Sequence, residues 1–431
     1  MEHKAIVFIE LNGQTVPAGM IRIIEDGRFS EATFAYGKRY LERANAIAID
    51  PVQLPLTDDL IGAPADFSLF NGIRDAAPDA WGRSLIDKYV LRRLNRPAME
   101  AEFLLASQSG TRAGALRFGS NPSGPGQVLP FHLPEFSPSL GDLEQFQALV
   151  DQVVRDQAHE APEPLMDFIA PGSDMGGARP KGTVMIDDFP WLVKFGKEGD
   201  RISMASAEAG CLDLCEMAGL EVCERRIETI AGRPALMLKR FDRYLDDAGA
   251  LHSKHMISSL TLLGAHELDR SASGYADIYD AFRARGGSTS RKIGEEIFRR
   301  MVMNVLCGNT DDHYRNHAFL YEDGKGYVPS PVYDVTPSLQ VSSSRAMFLH
   351  LGRAGSGRNA TLEAAVAGAE SLGLHRDQAE AIANELSEMV AANWRQVMER
   401  RGCSAEDIRM IENSFSEAGK QVALNPDEPS F

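Results

Sequence analysis

The sequence predicts an α+β chain that is rich in strands towards its N-terminus and helical towards its C-terminus, on three observations. Apolar strand-like runs joined by turn residues recur up to about residue 243, and from His252 onward apolar residues fall at helical spacing. Between Gly119 and Pro138 lie Asn-Pro, Ser-Gly-Pro-Gly and Leu-Pro breaks, the densest such cluster in the chain. At 431 residues the chain is longer than one core normally serves, so two or three packed units are expected. They are placed at 1–122, 139–251 and 252–431.

The opening is read from residues 4–10, a strand that enters an Asn12-Gly13 turn with partner strands after it. Pro78 and Asp79 ahead of Leu85, Ile86, Tyr89, Val90 and Leu94 mark a helix start. A second helix is expected at 99–107 and a strand at 113–118. After the breaker cluster, 141–157 is an amphipathic helix with Leu143, Phe146, Leu149, Val150 and Val153 on one side, and 158–164 is a solvated linker.

Bulk properties exclude several classes. With 44% hydrophobic and 25% charged residues, the composition is that of an ordered globular protein. A net charge of −16 and a pI near 5.2 argue against a large basic surface for nucleic acid. No apolar run approaches the roughly 20 residues a membrane span needs. The start Met1-Glu2-His3-Lys4 lacks the pattern of a signal peptide, so a cytoplasmic location without a membrane partner is expected. The five cysteines mostly have apolar neighbours and suit buried thiols. Cys211 and Cys215 share a helical face without the His or acidic company a metal site would want.

A glycine-rich loop runs from Pro171 to Lys181 straight into a strand at 183–186. After an Asp187-Asp188 turn, the strand 191–195 carries Lys194 among Trp191, Leu192, Val193 and Phe195. Amides exposed by Gly176 and Gly177 can approach an anion closely, and Lys181 and Lys194 can neutralise it. A plain turn is the bland alternative, and the pattern is not a P-loop, which needs Gly-Lys-Ser/Thr opening a helix. A buried ammonium is costly without an anionic partner. Glu208, read in the first turn of a helix over 203–219 with Cys211, Leu214, Cys215 and Met217/Ala218 inward, is either that partner or an acid favoured by the helix dipole. A hairpin of 226–230 and 235–243 follows.

The helix over 293–306 stops at Cys307-Gly308, and Asn309-Thr310-Asp311-Asp312-His313-Tyr314-Arg315-Asn316 comes directly after. A hairpin around 319–328 then returns the chain to Tyr333-Asp334. This is the layout of a protein-kinase-like phosphotransferase, where one Asp receives a hydroxyl proton and an Asn and a second Asp hold magnesium. Alone, Asp311 and Asp312 could be a polar loop at a helix end, and Asp334 a turn residue before Thr336-Pro337. From about 361 the chain is helical, with a long helix marked by Ile382, Leu386, Met389, Asn393 and Val397 and a last one by Ile408, Ile411 and Phe415.

With the glycine-rich loop, Lys194, "LKRFDR" at 238–243, "GNTDDHYRN" at 308–316 and "YD" at 333–334 in this order, the chain resembles the HipA family of type II toxin–antitoxin serine/threonine kinases. "LFNGIRDAAPDAWGR" at 69–83 extends the resemblance over nearly the whole length. The resemblance implies a protein-kinase-like fold, with a β-rich N-terminal subdomain and an all-helical C-terminal lobe, using ATP and Mg2+. Asp311 would be the catalytic base, assisted by Lys194, and Asn316 and Asp334 the metal ligands. Gly176, Gly177, Ala178, Arg179, Pro180, Lys181 and Lys194 would hold the phosphates. Lys239, Arg240 and Phe241 would border the adenine, and His313 and Tyr333 would line the nucleotide pocket.

The family also implies a HipB-like helix-turn-helix antitoxin as partner, carrying most of the DNA binding, and an aminoacyl-tRNA synthetase, glutamyl-tRNA synthetase above all, as protein substrate. Asp174 stands where the family's self-phosphorylated loop serine is expected, which makes its neighbour Ser173 the candidate. Two other functions use the same residues or leave them idle: a small-molecule kinase, and a catalytically silent co-repressor bound to an antitoxin.

Overall fold

The computed structural model describes residues 1–26, 29–107, 110–131, 133, 136–155, 168, 178–266, 269, 272–285, 291–339 and 345–422. The expected linker 158–164 and the loop residues Ser173, Asp174, Gly176 and Gly177 lie outside them. The chain divides into two compact units, each assembled from separated stretches. The first is Met1–Gly199, Glu228–His266 and Ala318–Gly324, and the second is Asp200–Ile227, Glu267–His317 and Lys325–Phe431.

In the first unit, β1 (Glu2–Leu11), β2 (Gln14–Glu25) and β3 (Ser30–Tyr36) form an antiparallel meander, flanked by β4 (Ile61–Gly62) beside β3 and β5 (Leu116–Gly119) beside β1. Asn12 and Gly13 take φ of 49° and 74°, the left-handed pair that a two-residue hairpin matched to strand twist requires. A second sheet holds β6 (Lys181–Ile186), β7 (Phe189–Lys194), β8 (Arg225–Ile230, of which only 228–230 belong to this unit) and β9 (Arg233–Lys239) in the order β6-β7-β9-β8. Its turns repeat the device: Asp187 and Asp188 at φ 48° and 59°, Ala231 and Gly232 at 46° and 78°. One apolar core reaches from Val7 and Ile9 through Trp81, Leu85 and Phe146 to Val184 and Val193.

Strands do not stop at His252 as the periodicity suggests. β10 (Arg243–Leu245) pairs with β11 (Leu251–Ser253), and β12 (Met256–Ser258) pairs with β13 (Ala318–Glu322). Strands of three residues hold too few alternations to reveal a period.

Long-range polar contacts join the stretches of this unit. Asp75 accepts from Ser258 N at 2.7 Å, Ser258 Oγ at 2.8 Å and Thr261 Oγ1 at 2.6 Å. Asn71 donates to the carbonyl of Ala265 at 2.9 Å. Trp81, in the first turn of helix Ala80–Leu94, donates its indole N–H to the Lys181 carbonyl at 2.9 Å and so pins the start of β6. The "LFNGIRDAAPDAWGR" stretch is therefore a fastening device within the unit.

His255 is 3% exposed, its Nε2 is 3.1 Å from the Ile49 carbonyl, and burial pushes the imidazole down from 6.5 to about 4. Below about pH 6.5 the unfolded chain takes up a proton that the folded chain refuses, so this residue costs stability as pH falls, down to about 4, and no further below that. A shift of that size corresponds to about 3 kcal/mol. Thermal midpoints measured from pH 7 to 4 should fall less steeply for His255→Gln than for the wild type, and parallel slopes would refute the assignment.

The second unit is mainly helical: Met204–Met217, Tyr275–Ala284, Arg291–Leu306, Leu362–Gly368, Arg376–Arg400 and Ala405–Ile411, with the strand β14 (Gly326–Pro329). Met204–Met217 packs on Arg376–Arg400. They approach closely at Gly210, where a Cβ would lie 2.5 Å from Met398 Sδ. Ser203 caps the first of these helices, accepting from Ser206 N. Glu208 therefore stands in the second turn, not the first, and it is buried, which removes the dipole account of it. Met217 faces outward at 46% exposure, against expectation, while Ala218 is buried. All five cysteines are free and buried, as core packing requires. Among the described residues no helix is long and apolar enough to cross a membrane.

Candidate active site

The loop 308–316 begins where helix Arg291–Leu306 must end. Gly308 takes φ 65°, and a Cβ there would lie 2.5 Å from the Ser414 carbonyl, so only glycine turns the chain here without strain. The backbone is then tied on both sides: Asn309 N to Asn304 O at 2.8 Å, Ser338 N to Gly308 O at 3.1 Å and Phe348 N to Thr310 O at 2.9 Å. A short 3₁₀ turn, Tyr314–Asn316, closes the loop.

Within this frame Asp311 is exposed and Asp312 is buried. Asn316 is 7% exposed, and its Nδ2 donates to the Asp311 carbonyl at 3.3 Å. The acid and the amide that the motif singles out are thus joined across the loop. His313 has a local duty: its Nδ1 accepts from Arg315 N at 3.3 Å, capping the 3₁₀ turn, and its ring meets Phe348 edge-on.

Tyr333 and Asp334 are brought to the same loop. The Tyr333 hydroxyl donates to the Arg315 carbonyl at 2.5 Å, and Asn309 Nδ2 donates to the Asp334 carbonyl at 3.3 Å. Asp334 has φ 61°, a left-handed conformation that aspartate adopts more readily than most non-glycine residues. Asp311, His313, Asn316, Tyr333 and Asp334 all belong to the second unit.

The remaining expected residues belong to the first. Ala178, Arg179 and Pro180 lead into β6, where Lys181 lies opposite Lys194 of β7 in the antiparallel register. Both lysines are buried, at 5% and 8% exposure. Lys239 ends β9 with its Nζ 5.1 Å from the centre of the Phe189 ring.

Arg240 does not present its side chain to a ligand. The guanidinium is buried and bonds Asp242 through Nε at 2.9 Å and Nη2 at 2.6 Å, and the Arg112 carbonyl at 2.8 Å. The Arg240 backbone N–H donates to the Pro190 carbonyl at 3.3 Å, so what Arg240 can offer an adenine is its carbonyl. Asp242 also accepts from Arg243 Nη1 and from Gly114 N, both at 2.8 Å. Burial opposes its charge, but the Arg240 and Arg243 guanidiniums outweigh that and hold the carboxyl well below the usual range.

A family model described as "HipA-like C-terminal domain" matches residues 173–394, just over half of the chain. The chain belongs to the HipA family. Two proteins of Sinorhizobium fredii, carried under the names "Putative kinase Y4mE" and "Putative kinase Y4dM", are 28% identical over 150 residues and 27% identical over 161. These matches cover 34% and 35% of this HipA-family chain but only 36% and 37% of the relatives. The fold is similar over 96% of the chain to a chain of the Shewanella oneidensis MR-1 complex of HipA, HipB and operator DNA. The TM-score is 0.58, the identity 15%, and 95% of that chain is covered.

The donor set fits magnesium as the family's chemistry would use it. Mg2+ takes hard oxygen ligands, commonly one or two from protein with phosphates and water completing the shell. The Asp334 carboxylate and the Asn316 carboxamide oxygen are of that kind. Among the described residues no three His, Cys, Asp or Glu side chains form a metal-binding group of their own.

Polar residues that motif reading passed over also enter this region: Asn309, Tyr275, Asn304 and His317. The available signal was a polar side chain inside an apolar run, as at Asn304 between Met303 and Val305.

Proposed function

We propose that this HipA-family chain transfers the γ-phosphoryl group of ATP to a serine or threonine hydroxyl of a protein, acting as the toxin of a toxin–antitoxin pair. The observation that carries the reading is the single loop on which Asp311 and Asn316 are hydrogen bonded, with the left-handed Asp334 tethered to it through Asn309.

Asp311 accepts the proton of the attacking hydroxyl as the new O–P bond forms and the bond to the ADP leaving oxygen breaks. Lys181 and Lys194 bind phosphate oxygens. The backbone of Lys239, Arg240 and Phe241 borders the adenine, and Tyr333 lines the pocket beside the loop it holds. Magnesium held by Asn316 and Asp334 would supply charge neutralisation at the phosphates.

The partner in this reading is a HipB-like helix-turn-helix antitoxin, through which the pair reaches DNA. The substrate class is an aminoacyl-tRNA synthetase in the cytoplasm, where phosphorylation stops translation. Ser173 is the candidate for self-phosphorylation.

The test incubates the full chain with labelled ATP, Mg2+ and either bacterial lysate or purified glutamyl-tRNA synthetase. Label on serine or threonine of a synthetase is the expected result, with phosphate at Ser173 found by mass spectrometry. Label confined to small molecules would replace the protein-kinase reading, and no ATP consumption in lysate would end it.

A further inference from the structure

We propose that Tyr275, Asp312 and His317 form a buried positioning triad that grips the loop beside each of its two functional residues and reaches Asp334 through Asn304 and Asn309. The proposal rests on the reading of Asp311 as base and of Asn316 and Asp334 as metal ligands.

The alternation in the loop is the first ground. Asp311 is exposed, while the next residue, Asp312, is 2% exposed. At the other end Asn316 is followed by His317, at 7%. The two buried neighbours meet: His317 Nε2 lies 2.8 Å from Asp312 Oδ2. Tyr275, fully buried in helix Tyr275–Ala284, donates its hydroxyl to the same oxygen and sets its ring edge-on to His317. Burial, with Asp312 alongside, pushes the Tyr275 hydroxyl well above its usual range, so the tyrosine remains the donor.

The second ground is continuity. Asn304 Nδ2 donates to the Tyr275 hydroxyl at 3.2 Å, Asn309 Nδ2 donates to Asn304 Oδ1 at 2.9 Å, and the same Asn309 nitrogen donates to the Asp334 carbonyl at 3.3 Å. Side-chain hydrogen bonds thus run from the residue after Asn316 to the peptide of Asp334, entirely within the second unit.

Stability alone explains this poorly. A buried carboxylate must be desolvated, and well-packed apolar residues of similar volume often serve a core as well or better. A polar network that satisfies every member instead fixes one arrangement. Here that arrangement sets the spacing between a base and two metal ligands, which must hold to a fraction of an ångström.

The test compares full-length wild type, Tyr275→Phe, His317→Phe and His317→Gln. Tyr275→Phe removes one oxygen and keeps the ring, so it guards against simple misfolding. Both phenylalanine variants should lower kcat roughly 10- to 100-fold and weaken calorimetric Mg2+ affinity in the presence of a non-hydrolysable ATP analogue by a similar factor, with KM for ATP unchanged. His317→Gln, which keeps an N–H donor, should recover much of both. Variants that lose thermal stability but keep wild-type kcat and Mg2+ affinity would overturn the triad while leaving the kinase reading intact. A wild type that turns over no ATP would overturn the kinase reading and the triad with it.

Discussion

Replacing Asp311 with asparagine is expected to cut phosphoryl transfer by roughly 10²- to 10⁴-fold, the usual contribution of a positioned base. The thermal midpoint should hardly move, because an exposed side chain away from any packed feature typically changes stability by no more than about 0.5 kcal/mol. The Asn316 amide bonds the Asp311 carbonyl rather than its carboxylate, so the loop keeps its anchor in the variant. ATP consumption and a melting curve on the same preparation give both answers. Wild-type turnover in Asp311→Asn would remove the base from the mechanism.

Asp242→Ala should produce the largest loss of stability, on the order of 3–5 kcal/mol, the cost of breaking a buried ion pair by removing one partner. The Arg240 and Arg243 side chains are each 2% exposed and would face one another without the carboxylate between them. Gly114 N would also lose its acceptor. Chemical denaturation of Asp242→Ala against wild type measures the difference. The pH dependence separates this cluster from His255. A depressed carboxylate stabilises at every pH above its unfolded value near 4 and loses that contribution only as pH falls through the lower folded value. Asp50, whose carboxyl burial pushes up to about 6, gains stability as pH falls over the same range as His255 loses it. The His255 contribution is therefore read from the difference between His255→Gln and wild type, while Asp242 contributes loss only in stronger acid.

Much of the site was legible because it is local. Asp311 and Asn316 sit five residues apart, and Gly308 announces both the helix stop and the loop. The hairpin turns at Asn12-Gly13 and Asp187-Asp188 were legible for the same reason, since each is decided by the two residues that must take positive φ. What could not be read is what depends on partners far along the chain. Asp75 meets Ser258 across 183 residues, and nothing near either residue signals the other. Glu208 is expected in the first turn although a helix read over 203–219 already puts it beyond that turn, and the Ser203 cap with Met204 as the first helical residue leaves it in the second. Arg240 reads as a strand residue beside Lys239 and Phe241, while its side chain is held by Asp242 two residues on and by the Thr111 and Arg112 carbonyls about 130 positions upstream, which nothing nearby signals.

The first compact unit is stitched from three stretches, the last of which ends at Gly324. During synthesis β1–β7 emerge early, yet β13, the partner of β12, is made some 125 residues after Gly199. At roughly 5–20 residues per second that is a delay of about 6–25 s. For that interval the ribosome carries a nascent chain whose first unit lacks its final strand, so chaperone occupancy should peak on chains arrested between residues 200 and 324 and fall once that segment has cleared the exit tunnel.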